Sequence, residues 1–181
     1  MKLANDIEVL ISADDIAICI DALVDKLMNR IDDDTVVVAL MDGALIFAAD
    51  LLRGLYSRGV NPIFENMTLS SYGDDIQSAG VVSVQKGLSR DVSGCKVIIV
   101  DDVFETGLTL KKAADMVKKA GASEVLTCVF ATKSGYSEDN TAPDFSGWDA
   151  PDAFLVGYGM DFKGQYRGLP YIGDLLGSAE A

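Results

Sequence analysis

The stretch Lys96-Val97-Ile98-Ile99-Val100-Asp101-Asp102 constrains this chain more than any other. Four β-branched apolar residues in succession make a strand with no polar face, as expected where both faces of a parallel sheet are covered. After Thr106-Gly107, Leu110, Ala113, Ala114 and Val117 trace one helical face. Lys111, Lys112, Lys118 and Lys119 trace the other, until Gly121 supplies a stop. This strand, loop and helix has an earlier counterpart: Thr35 to Leu40 is a β-branched run that stops at Asp42-Gly43, before a helical stretch carrying Phe47, Leu51 and Leu55 and closed by Gly59. Ser12 with Asp15 opens a capped amphipathic helix through Ile16, Ile20, Leu23, Val24 and Leu27 that ends near Asn29. Ile63 to Ser70, Val81 to Gln85, Val125 to Ala131 and Phe154 to Gly157 read as further strands, and the polar segment 71–80 as a mobile loop. The alternation predicts an α/β fold built on an open, mostly parallel sheet.

Composition narrows the chemistry. The 181 residues carry 28 acidic and 15 basic side chains, a net charge of −13, and no histidine. A Ser-His-Asp triad, a histidine base and histidine-ligated metals are therefore excluded. The acidity argues against nucleic acid and against anionic membranes as partners. Cys19, Cys95 and Cys128 are scattered and form no CxxC pair, which indicates neither a disulfide framework nor a thiolate metal site. A mean hydropathy of +0.23 accompanies enough apolar residues for a sizeable core. With neither a leader-like opening nor a long uninterrupted apolar stretch, the expectation is one cytoplasmic domain spanning 1–181.

In open α/β sheets, ligands collect beyond the carboxyl ends of the strands. Two loops there carry unusual residues: Leu40 to Gly43 and Val100 to Leu110. The second combines three carboxylates with a Thr-Gly-x-Thr turn opening a helix. A phosphate can sit on the free N–H groups of that helix start beside the Thr106 and Thr109 hydroxyls, while the acids accept hydrogen bonds from sugar hydroxyls. A ribose phosphate satisfies both halves.

Over its fourteen residues, Val97 to Leu110 resembles the phosphoribosyl-pyrophosphate signature of the type I phosphoribosyltransferases. Pro151 to Phe162, continuing through Arg167 and Leu169-Pro170-Tyr171-Ile172-Gly173, resembles the C-terminal block of the hypoxanthine-guanine members. Ser71-Tyr72 and Leu40-Met41-Asp42-Gly43 fall where that family has its lid dipeptide and its pyrophosphate loop. The resemblance runs from about residue 7 to 176 and implies an open twisted sheet with helices on both faces. It adds a lid at about 71–80 and a small base-binding hood of terminal segments, about 133–181.

The resemblance also implies roles. Asp101 and Asp102 hold the ribose hydroxyls, and the loop of Glu105, Thr106, Gly107, Leu108 and Thr109 cradles the 5-phosphate. Met41, Asp42, Gly43 and Arg167 receive the pyrophosphate. Phe154 stacks on the purine, the Leu155 backbone and Asp161 meet its edge, and Lys133 donates to a 6-oxo group. A lysine only donates, which favours an oxopurine over adenine. Asp161, with Asp101 and Asp102, holds Mg²⁺. Taken singly, Lys133, Asp161 and Arg167 would be ordinary surface charges and Phe154 a core residue; their common order changes the reading. The implied reaction is purine salvage: transfer of 5-phosphoribose from phosphoribosyl pyrophosphate to hypoxanthine, guanine or xanthine, by a homo-oligomer, dimer or tetramer.

Two positions depart from the family. Glu105 stands where an aspartate takes the purine proton, and Asp42 stands where relatives have lysine, arginine or a small residue. These departures motivate a second reading, a catalytically weakened sensor of phosphoribosyl pyrophosphate or nucleotide. A receiver-type signalling domain would also end strands in acids, but leaves the block from Pro151 to Gly173 unexplained.

Overall fold

The computed structural model describes residues 7–71, 82–133 and 142–175. A six-stranded sheet is ordered β4 (Val82–Lys86), β3 (Ile63–Ser71), β2 (Val36–Met41), β5 (Lys96–Phe104), β6 (Glu124–Lys133) and β7 (Phe145–Ala150). Every neighbouring pair is parallel except β3 with β4. The apolar runs read from the sequence are its two central strands, β2 and β5. Their alternate residues divide between two cores. Val37, Ala39, Ile98 and Val100 pack on one face with residues of helices α1 (Ala13–Leu27) and α2 (Leu45–Ser57). Val36, Val38, Val97 and Ile99 pack on the other with α3 (Leu108–Lys119). Burial on both faces is why neither strand alternates in sequence.

The expected start of α1 is present: the Ser12 hydroxyl accepts from the Asp15 N–H at 3.2 Å, and Ile16, Ile20, Leu23, Val24 and Leu27 are buried. Gly121, at φ +91°, follows α3 as expected. The sequence reading ended the strand at Val100, whereas β5 continues through Asp101 and Asp102 to Phe104. Both acids are therefore held in extended, paired backbone. The predicted strand from Phe154 to Gly157 contracts to β8 (Leu155–Val156).

Three strands were not expected: β1 (Ile7–Ile11), β7 and β9 (Ile172–Leu175). The first and last form, with β8, a separate antiparallel sheet ordered β1-β9-β8. Terminal segments of the chain build this small sheet, as the expected hood would require, but it includes β1, and β7, although within 133–181, joins the main sheet instead. Of the expected lid, Ser71 ends β3; Tyr72 and residues 73–80 lie outside the described residues.

Candidate active site

The loops after β2 and β5 and the end of β6 emerge side by side, because these three strands are parallel neighbours. A fourth element, the chain between β8 and β9, reaches the same end of the sheet: a Cβ placed on Gly159 would collide with the Gly43 carbonyl oxygen. A Cβ on Gly43 would in turn collide with the Asp102 carboxylate. The Asp102 carboxylate and the Gly43 and Gly159 backbones therefore form a close stack that leaves no room for a side chain at either glycine. Gly159 also has φ +103°, a conformation that glycine adopts without strain. The Met41–Asp42 peptide between β2 and this stack is cis, and Asp42 itself is exposed.

Asp101 and Asp102 sit at the sheet's carboxyl end as expected. The Asp102 N–H donates to Asp101 Oδ1 at 3.0 Å, and the Val103 N–H donates to Asp102 Oδ1 at 2.9 Å. Burial, and then the neighbouring charge of Asp102, pushes the Asp101 carboxyl well above the usual range. Burial raises Asp102 too, opposed by hydrogen bonds from Asp101 and Val103 and by the charge of Arg167. Both carboxyls are thus held above the usual carboxylate range.

Beyond them, Gly107 takes φ +77° and caps α3, which has no side-chain cap. The Leu108 N–H reaches Thr106 Oγ1 at only 3.4 Å. The loop of Thr106 to Thr109 is thus a helix N-terminus with donors directed outward, the geometry that receives a phosphate. Glu105 lies just before it. Its Oε1 is 3.4 Å from Lys133 Nζ at the end of β6, whose side chain is only 11% exposed. Glu105 and Lys133 are therefore brought together, which the sequence reading had treated separately.

Arg167 and Asp161 are also paired. Arg167 Nη2 is 2.7 Å from Asp161 Oδ1, while Nη1 donates to the Gly159 carbonyl at 2.6 Å. Asp161 Oδ2 accepts from the Gly164 N–H at 2.6 Å. Both carboxylate oxygens are thus engaged. Phe154 is 41% exposed, and Leu155 beside it is buried. Among the described residues no three acidic side chains converge to cage a cation. Asp101, Asp102 and Asp161 are hard oxygen donors, and this dispersed set suits a magnesium ion carried mainly on substrate oxygens, with one or two protein carboxylates in support.

Sequence reasoning missed the anchor that fixes this segment. The Tyr158 hydroxyl donates to Asp50 Oδ2 at 2.9 Å, tying the segment to α2, and Tyr158 adopts φ +50°. Burial, followed by Asp50, pushes the phenol up, so it remains a donor. The Gly157-Tyr158-Gly159 triplet was the available signal, since two glycines around an aromatic mark a turn of unusual backbone.

The chain is similar to known proteins. Residues 13–163 match the family model described as the phosphoribosyl transferase domain. A hypoxanthine-guanine phosphoribosyltransferase of Aquifex aeolicus is 40% identical over 141 residues, 78% of either chain. A hypoxanthine phosphoribosyltransferase of Escherichia coli is 34% identical over 175 residues, covering 95% of this chain and 97% of its own. Among solved structures, a hypoxanthine phosphoribosyltransferase of Staphylococcus aureus superposes with a TM-score of 0.89 at 27% identity over the whole of both chains. A ternary substrate complex of a Trypanosoma cruzi hypoxanthine phosphoribosyltransferase variant superposes with a TM-score of 0.88 at 26% identity, over 98% of this chain and 100% of that one. This chain belongs to the phosphoribosyltransferase family, among its hypoxanthine and hypoxanthine-guanine members.

Proposed function

We propose that the protein transfers 5-phosphoribose from phosphoribosyl pyrophosphate to a ring nitrogen of hypoxanthine or guanine, releasing pyrophosphate. The reading is carried by one observation, the acid pair Asp101-Asp102 leading through the loop to the start of α3, which no side chain caps, with Lys133 and Glu105 facing each other alongside. Asp101 and Asp102 accept from the ribose hydroxyls, and the Thr106–Thr109 backbone donates to the 5-phosphate. The Met41–Gly43 backbone and Arg167 meet the pyrophosphate. Phe154 stacks on the base, with the Leu155 backbone and Asp161 at its edge, while Lys133 donates to the 6-oxo oxygen and Glu105 accepts the imidazole proton. Asp101, Asp102 and Asp161 would hold Mg²⁺, which would supply charge neutralisation at the pyrophosphate. Asp42 leaves this reading intact because it is exposed and the loop offers its backbone.

In this account the chain forms one domain, with residues 71–80 closing over the reacting sugar and residues 133–181 supplying the base-binding part. It works as a homo-oligomer in the cytoplasm. Support for association comes from α2, which buries Phe47, Leu51 and Leu55 yet leaves Leu45 54% and Tyr56 69% exposed. A groove of about 520 Å³, lined among others by Ile16, Ile20, Ile46 and Leu169, runs beside it. A helix apolar on more than one face is ordinarily covered.

The base assignment is tested by a purine panel with phosphoribosyl pyrophosphate and Mg²⁺. Hypoxanthine or guanine is expected to be used far better than adenine; equal use of adenine contradicts the role of Lys133. Binding without pyrophosphate release would instead favour the sensor that Glu105 and Asp42 first suggested.

A further inference from the structure

Phe154 is held unevenly. Its N–H donates to Asp174 Oδ1 at 3.1 Å and its carbonyl accepts from the Leu175 N–H at 3.0 Å, so its backbone is pinned to β9. Its ring, 41% exposed, has one ring partner among the described residues: Phe162, edge-on at 5.5 Å between centroids with the planes at 90°. Phe162 is itself immobilised. Its N–H and carbonyl exchange hydrogen bonds with Gln165 at 3.2 and 3.0 Å, and the Lys163 ammonium lies 4.9 Å from its ring centroid. The turn is closed by Asp161 accepting from the Gly164 N–H, with Lys163 at φ +50° and Gly164 at φ +78°.

We propose that Phe162 is a positioning residue for purine binding, which holds the Phe154 ring in the orientation that stacks on the base. An exposed ring on a pinned backbone still turns about its side-chain bonds, and a ligand that stacks on it must stop that motion. The edge-on neighbour stops it beforehand, so the ordering cost is met in the free protein. An edge-to-face pair is strong enough to matter, since losing it corresponds to a change of roughly two- to tenfold in an equilibrium constant. The polarity of the turn adds to this: the cation over the Phe162 face keeps that ring from swinging toward solvent.

The inference rests on Phe154 stacking on a purine, and its test separates the two. Phe162→Leu and Phe162→Met, both apolar, are compared with Phe162→Tyr in the full chain, checked for fold by circular dichroism. Phe162→Leu and Phe162→Met are expected to raise KM for hypoxanthine roughly two- to tenfold, leaving kcat and KM for phosphoribosyl pyrophosphate within about twofold. Phe162→Tyr is expected to restore the wild-type value. In a Phe154→Ala background, Phe162→Leu should add nothing further. An unchanged KM for hypoxanthine overturns the proposal. So does an equal rise in both KM values, which would mean that the turn acts structurally on Asp161 and Arg167. Should the wild type form no nucleotide, the catalytic reading fails by itself, and calorimetry with inosine monophosphate then reads the same comparison. Weaker binding by Phe162→Leu supports the proposal; equal binding, or no binding by the wild type, overturns it.

Discussion

Glu105 and Lys133 form the ion pair at the centre of the proposed chemistry. Glu105 has one methylene more than aspartate, and the added length lets its carboxylate reach the Lys133 ammonium at 3.4 Å. In the free protein the two neutralise each other. In the proposed complex, a 6-oxopurine would replace that internal pair with its own acceptor and donor. Glu105→Gln is expected to lower turnover by on the order of a hundredfold or more while nucleotide affinity is retained, as measured by kcat beside calorimetry. An unchanged kcat rejects Glu105 as the base. Asp101 bears on stability with a definite sign. Its carboxyl is raised in the folded chain, chiefly by burial, so its contribution is fully present below the unfolded value and is lost as pH rises through the raised one. Asp101→Asn should therefore melt above the wild type at pH 7, with the gap closing toward acid, and should bind phosphoribosyl pyrophosphate more weakly. A gap in Tm independent of pH contradicts this.

At the scale of elements, the loop after β2, the end of β5 and the segment before β9 are locked by contact at two glycines. Neither Gly43 nor Gly159 can gain a methyl group without moving the Asp102 carboxylate or the Gly43 carbonyl. A displacement of about 1 Å at a reacting centre costs on the order of a hundredfold in rate. Gly43→Ala is expected to lower kcat/KM for phosphoribosyl pyrophosphate by about that factor, with far-ultraviolet circular dichroism unchanged; retained kcat/KM would show that the stack is not required. The same elements show what a sequence discloses. β2 and β5 were legible because burial on both faces forbids polar residues, and α1 because Ser12 and Asp15 mark its start. β7 was not, since Phe145-Ser146-Gly147-Trp148-Asp149-Ala150 at the sheet edge is neither alternating nor uniformly apolar. β1 and β9 lie more than 150 residues apart in the chain and make sense only as each other's partners. The acids and the Thr-Gly-x-Thr loop were readable as a local motif, whereas Lys133 and Arg167, ordinary charges taken singly, came only from the family resemblance. Contacts between motifs, such as Asp161 with Arg167 and Gly43 with Gly159, depend on tertiary approach and left no local trace.

The whole molecule joins an acidic, three-layered α/β/α body to a small antiparallel sheet, with the candidate site where they meet. Its outer α2 surface leaves Leu45 and Tyr56 exposed. Light scattering of the purified chain is expected to give a dimer or tetramer, and Leu45→Asp with Tyr56→Asp should shift it toward monomer without loss of helix. A monomeric wild type contradicts that assignment. The catalytic account itself is decided by the products. Incubating the full chain with phosphoribosyl pyrophosphate, Mg²⁺ and hypoxanthine, then separating the mixture by anion exchange, should yield inosine monophosphate and pyrophosphate in equal amounts. Unconsumed hypoxanthine in the presence of folded protein would contradict it.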